Sequence, residues 1–369
     1  MDTLRQFGRL ALVLMLMVVS IWGCEEETTV APPPPPEQIT LQRITGMASD
    51  DVFDVFVDSQ QRLWVSTDRG VYLFPSTTGP YDVSKATWFS DRDGIPNLQC
   101  RGMSELNGKV YVATWGGGLG IYDNATPWLA VPATDTLLTG RVYEMAPDDT
   151  SLWLATVSRV TQYIDNGKPT VEERLVDHGE IFGDRKFCSI VVRSGVGGHA
   201  DSTQIWVAQE TGDSLGVPIP GGMKLFGLPD TSISWFRPGT SGIPSANVLD
   251  VEYDPTRDVV WSAHPGKGVA TVDLEAKKWK TYTEADGLVS DLAVSVAINK
   301  RGIKWPAGTV WIATQAGVTK MAPDGSMVNY SDGSGLPTLH VRRVVVDRND
   351  HVWLCFADGG AAKVVPPAK

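Results

Sequence analysis

What the chain lacks narrows its function first. It holds 4 cysteines and 5 histidines, and their spacings match no zinc, haem or redox motif. After Cys24 only Cys100, Cys188 and Cys355 remain, an odd number, so a disulfide framework is not what holds the fold together. Basic charge is in deficit, 32 Lys and Arg against 43 Asp and Glu, for a net charge of −11. No basic stripe stands out from that background, so nucleic acid is not expected as a partner. There is no P-loop, no Gly-x-Ser-x-Gly elbow, no His-Glu-x-x-His and no acidic ladder of the calcium-loop kind. Neither a catalytic residue nor a metal or cofactor site is assigned on these grounds, and the chain is expected not to be an enzyme.

The N-terminal end carries an export pattern: Arg5 and Arg9, an apolar run from Leu10 to Trp22, then Gly23-Cys24. An apolar run of about thirteen residues is too short to span the hydrocarbon core, which takes about 20 helical residues. Cleavage is therefore expected. Ile21-Trp22-Gly23-Cys24 resembles the lipobox of bacterial lipoproteins, with Trp22 bulkier than is usual there. That resemblance implies a signal peptide over residues 1–23 and lipidation at Cys24, and Glu25 after the cysteine implies the outer membrane. Residues 24–38, with Glu25 to Glu27 and Pro32 to Pro36, cannot bury a core and read as a stiff tether.

The rest of the chain is repetitive. Leu63-Trp64-Val65-Ser66-Thr67 has six counterparts, centred on Tyr111, Trp153, Trp206, Trp261, Trp311 and Trp353. The aromatic recurs at steps of 47, 42, 53, 55, 50 and 42 residues, near the period of four-stranded propeller blades. Upstream of it lies an apolar strand ending in a turn-forming Asp or Asn: Asp58, Asp148, Asp254, Asn299, Asp347. Downstream, a glycine often opens a third strand, as in Gly70-Val71-Tyr72, and an aromatic often starts a fourth, as at Trp88 and Trp279. Units join through Gly-apolar-Pro turns such as Gly94-Ile95-Pro96 and Gly335-Leu336-Pro337. The third and fourth units depart most from the pattern.

These turns, the Asp corner and the Leu-Trp-Val-Ser-Thr strand resemble the two-component-regulator propeller repeat over residues 39–366. The resemblance implies an all-β, seven-bladed β-propeller of four-stranded antiparallel blades, and a place among exported sensors. Ile39 to Ile44 reads as a fourth strand without its first three, whereas the last unit has three and lacks a fourth, so the two halves are expected to close one blade.

In such a ring the second-to-third and fourth-to-first loops share one face, the top face, where ligands of propellers usually sit. The repeat register puts Asp68, Arg69, Trp115, Arg159, Glu210, His264 and Lys267 there, with a long loop from Glu210 to Gly222. At the third position of each first strand it puts Asp54, Gly102, Glu144, Ser189, Asp250, Ser295 and Arg343, preceded by Phe53, Arg101, Tyr143, Cys188, Leu249, Val294 and Arg342. The candidate ligand-binding set is Trp115, Arg101, Glu144, Asp250, His264, Lys267 and Arg342. Trp115, on the glycine-rich stretch before Gly116 to Gly118, is expected to offer a flat face. Asp54 and Arg343 are expected to pair structurally across the closing blades.

The expected function is binding at the cell envelope, as a monomeric sensor or scaffold whose partner is an envelope protein, a glycan or a small molecule, with the lipid anchor as its membrane contact. Two alternatives are a polysaccharide hydrolase or lyase using Glu144 and Asp250, and a structural subunit of a secretion or envelope complex. Streptogramin-type lyases share the seven-bladed architecture, but their catalytic cluster has no counterpart that the sequence identifies.

Overall fold

A computed structural model describes residues 37–132, 141–157, 159–165, 175–178, 187–194, 202–214, 217–219, 221–228 and 232–367. The expected signal peptide, Cys24 and most of the tether lie outside them. Among the described residues no helix is long and apolar enough to cross a membrane.

The architecture is a seven-bladed β-propeller. Blade 1 runs Val52–Val57, Leu63–Thr67, Gly70–Phe74 and Thr87–Phe89, hydrogen-bonded in that order as an antiparallel meander. The other innermost strands are Cys100–Leu106, Val142–Pro147, Phe187–Ser194, Asp250–Asp254, Ala293–Asn299 and Val341–Val346. Each neighbours the next around the ring, and that of blade 7 neighbours that of blade 1.

Blade 7 closes the ring as expected. Leu41–Ile44 pairs antiparallel with Ala361–Val364, Leu41 opposite Val364 and Ile44 opposite Ala361. The long connection in blade 4 carries a small two-stranded ribbon, Gly212–Ser214 against Val217–Ile219.

The blades adhere through the recurring tryptophans. Trp64, Trp153, Trp206, Trp261, Trp311 and Trp353 are all buried. Four of them stack on the last aromatic of their own fourth strand: Trp64 on Phe89, Trp206 on Phe236, Trp261 on Tyr282 and Trp311 on Tyr330. The aromatic that opens the fourth strand of blade 1, Trp88, is instead 48% exposed.

The corner carboxylates do more than shape a turn. Each accepts the indole N–H of its blade's tryptophan: Asp58 from Trp64 at 2.8 Å, Asp148 from Trp153 at 2.8 Å, Asp347 from Trp353 at 2.9 Å and Asp254 from Trp261 at 3.4 Å. Asn299 does the same for Trp311 at 2.9 Å. A buried indole N–H needs an acceptor, and the turn residue supplies it.

Candidate functional site

In a regular strand neighbouring side chains point to opposite faces, so Phe53 and Asp54 should not both face the axis. A β-bulge overrides this. The register of first against second strand slips between Val52 and Asp54, Cys100 and Met103, Val142 and Glu144, Phe187 and Ser189, Ala293 and Ser295, and Val341 and Arg343. The extra residue re-aims its side chain. Two stacked rings of side chains result.

The lower ring is a belt that stitches blades together. Asp54 Oδ2 accepts the Met103 N–H of blade 2 at 2.8 Å. Asp250 bridges three blades: Oδ1 accepts from Ser189 Oγ at 2.8 Å, and Oδ2 accepts from Ser295 Oγ at 2.8 Å and from the Val296 N–H at 3.0 Å. Ser295 in turn accepts the Val344 N–H at 3.3 Å. Arg343 then spans the channel, with Nε 3.3 Å from Asp54 and its Nη1 donating to Glu144. Gly102 leaves the room that Glu144 fills, since a Cβ there would sit 2.7 Å from Glu144 Oε1.

Glu144 and Asp54 are both buried, and burial raises both carboxyls against the pull of Arg343; for Glu144 the value is pushed up to about 7. The Arg343 and Asp54 pair is structural, as expected. Glu144 lies not on the top face but one level down, tied to Arg343, whereas Asp250, bonded to Ser189 and Ser295, also lines the cavity at the channel mouth.

Below Arg343 the channel widens into a cavity of about 440 Å³. Its walls carry the ion pairs Arg348 to Glu105 at 2.7 Å and Lys300 to Glu252 at 2.5 Å.

The upper ring forms the mouth. Phe53, Arg101, Tyr143, Cys188, Leu249, Val294 and Arg342 all line a cavity of about 160 Å³. One sector is basic and aromatic. The Arg101 guanidinium lies 3.6 Å from the centre of the Phe53 ring and 4.5 Å from that of Trp115, and the Arg342 guanidinium lies 4.2 Å from that of Phe53. Arg141 lies 4.4 Å from Trp115, whose ring meets Tyr143 edge to face. Arg342 also pairs with Asp51 at 2.6 Å. Burial, and then the neighbouring Arg342, lower the Arg101 guanidinium to about 10, so it is charged at neutral pH. Rings hold cations this way by the negative charge of their faces.

The other sector is apolar. Leu249 and Val294 lead sideways into a cavity of about 420 Å³ that also touches Gln315, His340, Val341, Arg342 and Ala357.

The structure brings Arg101, Trp115 and Arg342 together, with Trp115 half-buried and two guanidinium groups against its ring. His264 is fully buried, bonded to Ser262 Oγ at 2.9 Å, and burial lowers its imidazole to about 4, so it is a neutral core residue and not a top-face ligand group. Lys267 is exposed on the turn after Pro265 and lines neither mouth cavity. Sequence reasoning missed Arg141 and the part Phe53 plays as a platform. Cys100, Cys188 and Cys355 are in no disulfide among the described residues, and Cys188, half-exposed in the mouth ring, donates its thiol to the Val248 carbonyl at 2.9 Å.

No family model matches the chain, and no curated protein matches it in sequence. Solved structures match the fold. An extracellular domain assigned to a hybrid two-component system of B. thetaiotaomicron is 15% identical, covering 88% of this chain and 42% of that one, with a TM-score of 0.66. The chain thus spans about two fifths of that protein's length. PorZ of Porphyromonas gingivalis, a surface component of the type-IX secretion system, is 14% identical over 87% of this chain and 47% of its own, with a TM-score of 0.61. Virginiamycin B lyase of Staphylococcus aureus is 10% identical over 89% of this chain and 99% of its own, with a TM-score of 0.60. That last likeness overturns the expectation that the chain is not an enzyme, because a complete lyase has this fold from end to end. At these identities what is shown is the fold: a seven-bladed propeller like those of the extracellular domains of bacterial two-component systems and of a lyase.

Proposed function

We propose that the protein is an exported, lipid-anchored propeller that takes an acidic ligand at the mouth of its channel. The organisation behind this reading is a signal peptide over 1–23, a tether from Cys24 to 38 and the propeller over 39–366. The observation that carries it is the gathering of Arg101, Arg141 and Arg342 around Phe53 and Trp115, in a chain whose net charge is −11. Guanidinium groups held on aromatic faces at a cavity present donors in a plane, the geometry that carboxylates and phosphates match.

Calorimetry with carboxylate ligands, among them acidic oligosaccharides and peptides, tests this. Binding to the wild type and at least a tenfold loss in Arg101→Ala and Arg342→Ala is the expected result. Equal affinity in the three proteins would remove the site. Release from the membrane fraction on Cys24→Ser tests the anchor.

A second reading is favoured by the near-complete match to a lyase. Neutralising a carboxylate between arginines acidifies the neighbouring C–H, and this reading assigns the proton to exposed His340, which lines the adjoining cavity with Arg342. Elimination would give products whose masses sum to that of the substrate with no water added. His340→Ala should then abolish turnover and spare binding. Products containing added water, or turnover unchanged in that variant, would count against it.

A further inference from the structure

The basic sector is half of the rim, and the other half fits no simple anion. Leu249, Val294 and Arg342 line both the mouth and the lateral cavity, so the two adjoin, the first basic in one sector and the second largely apolar. The positions before the third residue of each first strand explain this: they carry Phe53, Arg101 and Arg342 in blades 1, 2 and 7, but Leu249 and Val294 in blades 5 and 6. At the far lip stand the exposed side chains of Gln315 and His340, with no partner among the described residues.

A carboxylate flanked by polar sugar would leave Leu249, Val294, Val341 and Ala357 wet. A fatty acid would cover them and leave Gln315 and His340 without partners. A chain that ends in a carboxylate, carries apolar side chains behind it and has amide groups beyond meets all three demands.

Resting on the acidic-ligand reading above, we propose that the occupant is the C-terminal end of a peptide or protein. Its α-carboxylate lies between Arg101 and Arg342. Its last apolar side chains lie against Leu249, Val294 and Val341, and its backbone amides meet Gln315 and His340. Apolar contact supplies free energy in proportion to buried area, and the paired arginines fix the direction of the chain.

The test is calorimetry on the mature lipidated protein in detergent, with four probes: a hexapeptide ending in Leu-Val with a free carboxylate, the same peptide amidated, one ending in Ser-Gly with a free carboxylate, and a uronic acid trisaccharide. Tightest binding of the first is expected, with at least a tenfold loss on amidation and a similar loss for the Ser-Gly end. Leu249→Ala should narrow the gap between the Leu-Val and Ser-Gly ends while leaving the thermal midpoint within the wild-type range. If the trisaccharide or the Ser-Gly peptide binds as well as the Leu-Val peptide, and Arg101→Ala weakens both, the peptide proposal falls and the acidic-ligand reading stands. If the amidated and free peptides bind alike, or no probe binds, both fall.

Discussion

Replacing Glu144 by Gln should turn a pH-insensitive protein into an acid-sensitive one. Glu144 sits in the belt beside Arg343, and burial holds its carboxyl at about 7 from an ordinary 4.5. A carboxyl that binds its proton more tightly in the folded state stabilises the fold at low pH, and that stability is lost as pH rises through the folded value. His264 does the opposite. Burial lowers its imidazole from 6.5 to about 4, so its contribution is present above 6.5 and is lost as pH falls. Between pH 5 and pH 7 each group changes stability by about 2 kcal/mol, with opposite sign. The wild type should therefore be nearly level across this range, leaning toward acid stability because Asp54 is raised too. Glu144→Gln keeps an acceptor for Arg343 and removes the titration. Its stability should then fall by about 2 kcal/mol from pH 7 to pH 5. Urea denaturation followed by tryptophan fluorescence at pH 5, 6 and 7 reads this directly, with the slope against urea unchanged. If the variant is as level as the wild type, the opposing titrations are not those of Glu144 and His264.

Gly102→Ala should destabilise by about 1–3 kcal/mol, because its methyl group meets Glu144 Oε1 at 2.7 Å and the Glu144 Cα at 3.2 Å; an unchanged urea midpoint would show that the belt yields freely. Trp64→Phe removes the N–H that Asp58 accepts inside the blade, leaving a fully buried carboxylate with one partner fewer, at a cost of about 2–4 kcal/mol. Thermal melting checks it, and a loss below 1 kcal/mol would argue that water replaces the indole. Deleting residues 37–44 strips the strand paired with Ala361–Val364 and bares an edge. A lowered melting temperature and higher oligomers by light scattering are expected, and a monomer that melts like the full chain would refute closure by this strand.

Much of the fold was legible because a repeat states its rule several times. The steps between the recurring aromatics, six tryptophans and Tyr111, identified seven blades, and the unmatched strand Ile39 to Ile44 identified the closure. The two channel rings were also legible as positions, though not the reason both face inward: alternation forbids it, and the bulges that permit it leave no mark in any one copy. His264 shows a signal overlooked. It occupies the position of Thr67, Thr114, Thr156 and Thr314, each of which closes its second strand buried, so the alignment of repeats already placed it inside the blade. The mouth was harder, because its chemistry arises only when the ring closes. Arg342 belongs to the last blade and Phe53 to the first, and they meet solely because Leu41–Ile44 completes blade 7 and brings the inner strands of blades 7 and 1 side by side. Arg101 then approaches the same ring from blade 2. The strand that stabilises the ring is thus also what assembles the basic sector, so opening the ring should remove ligand binding before it removes the blades themselves.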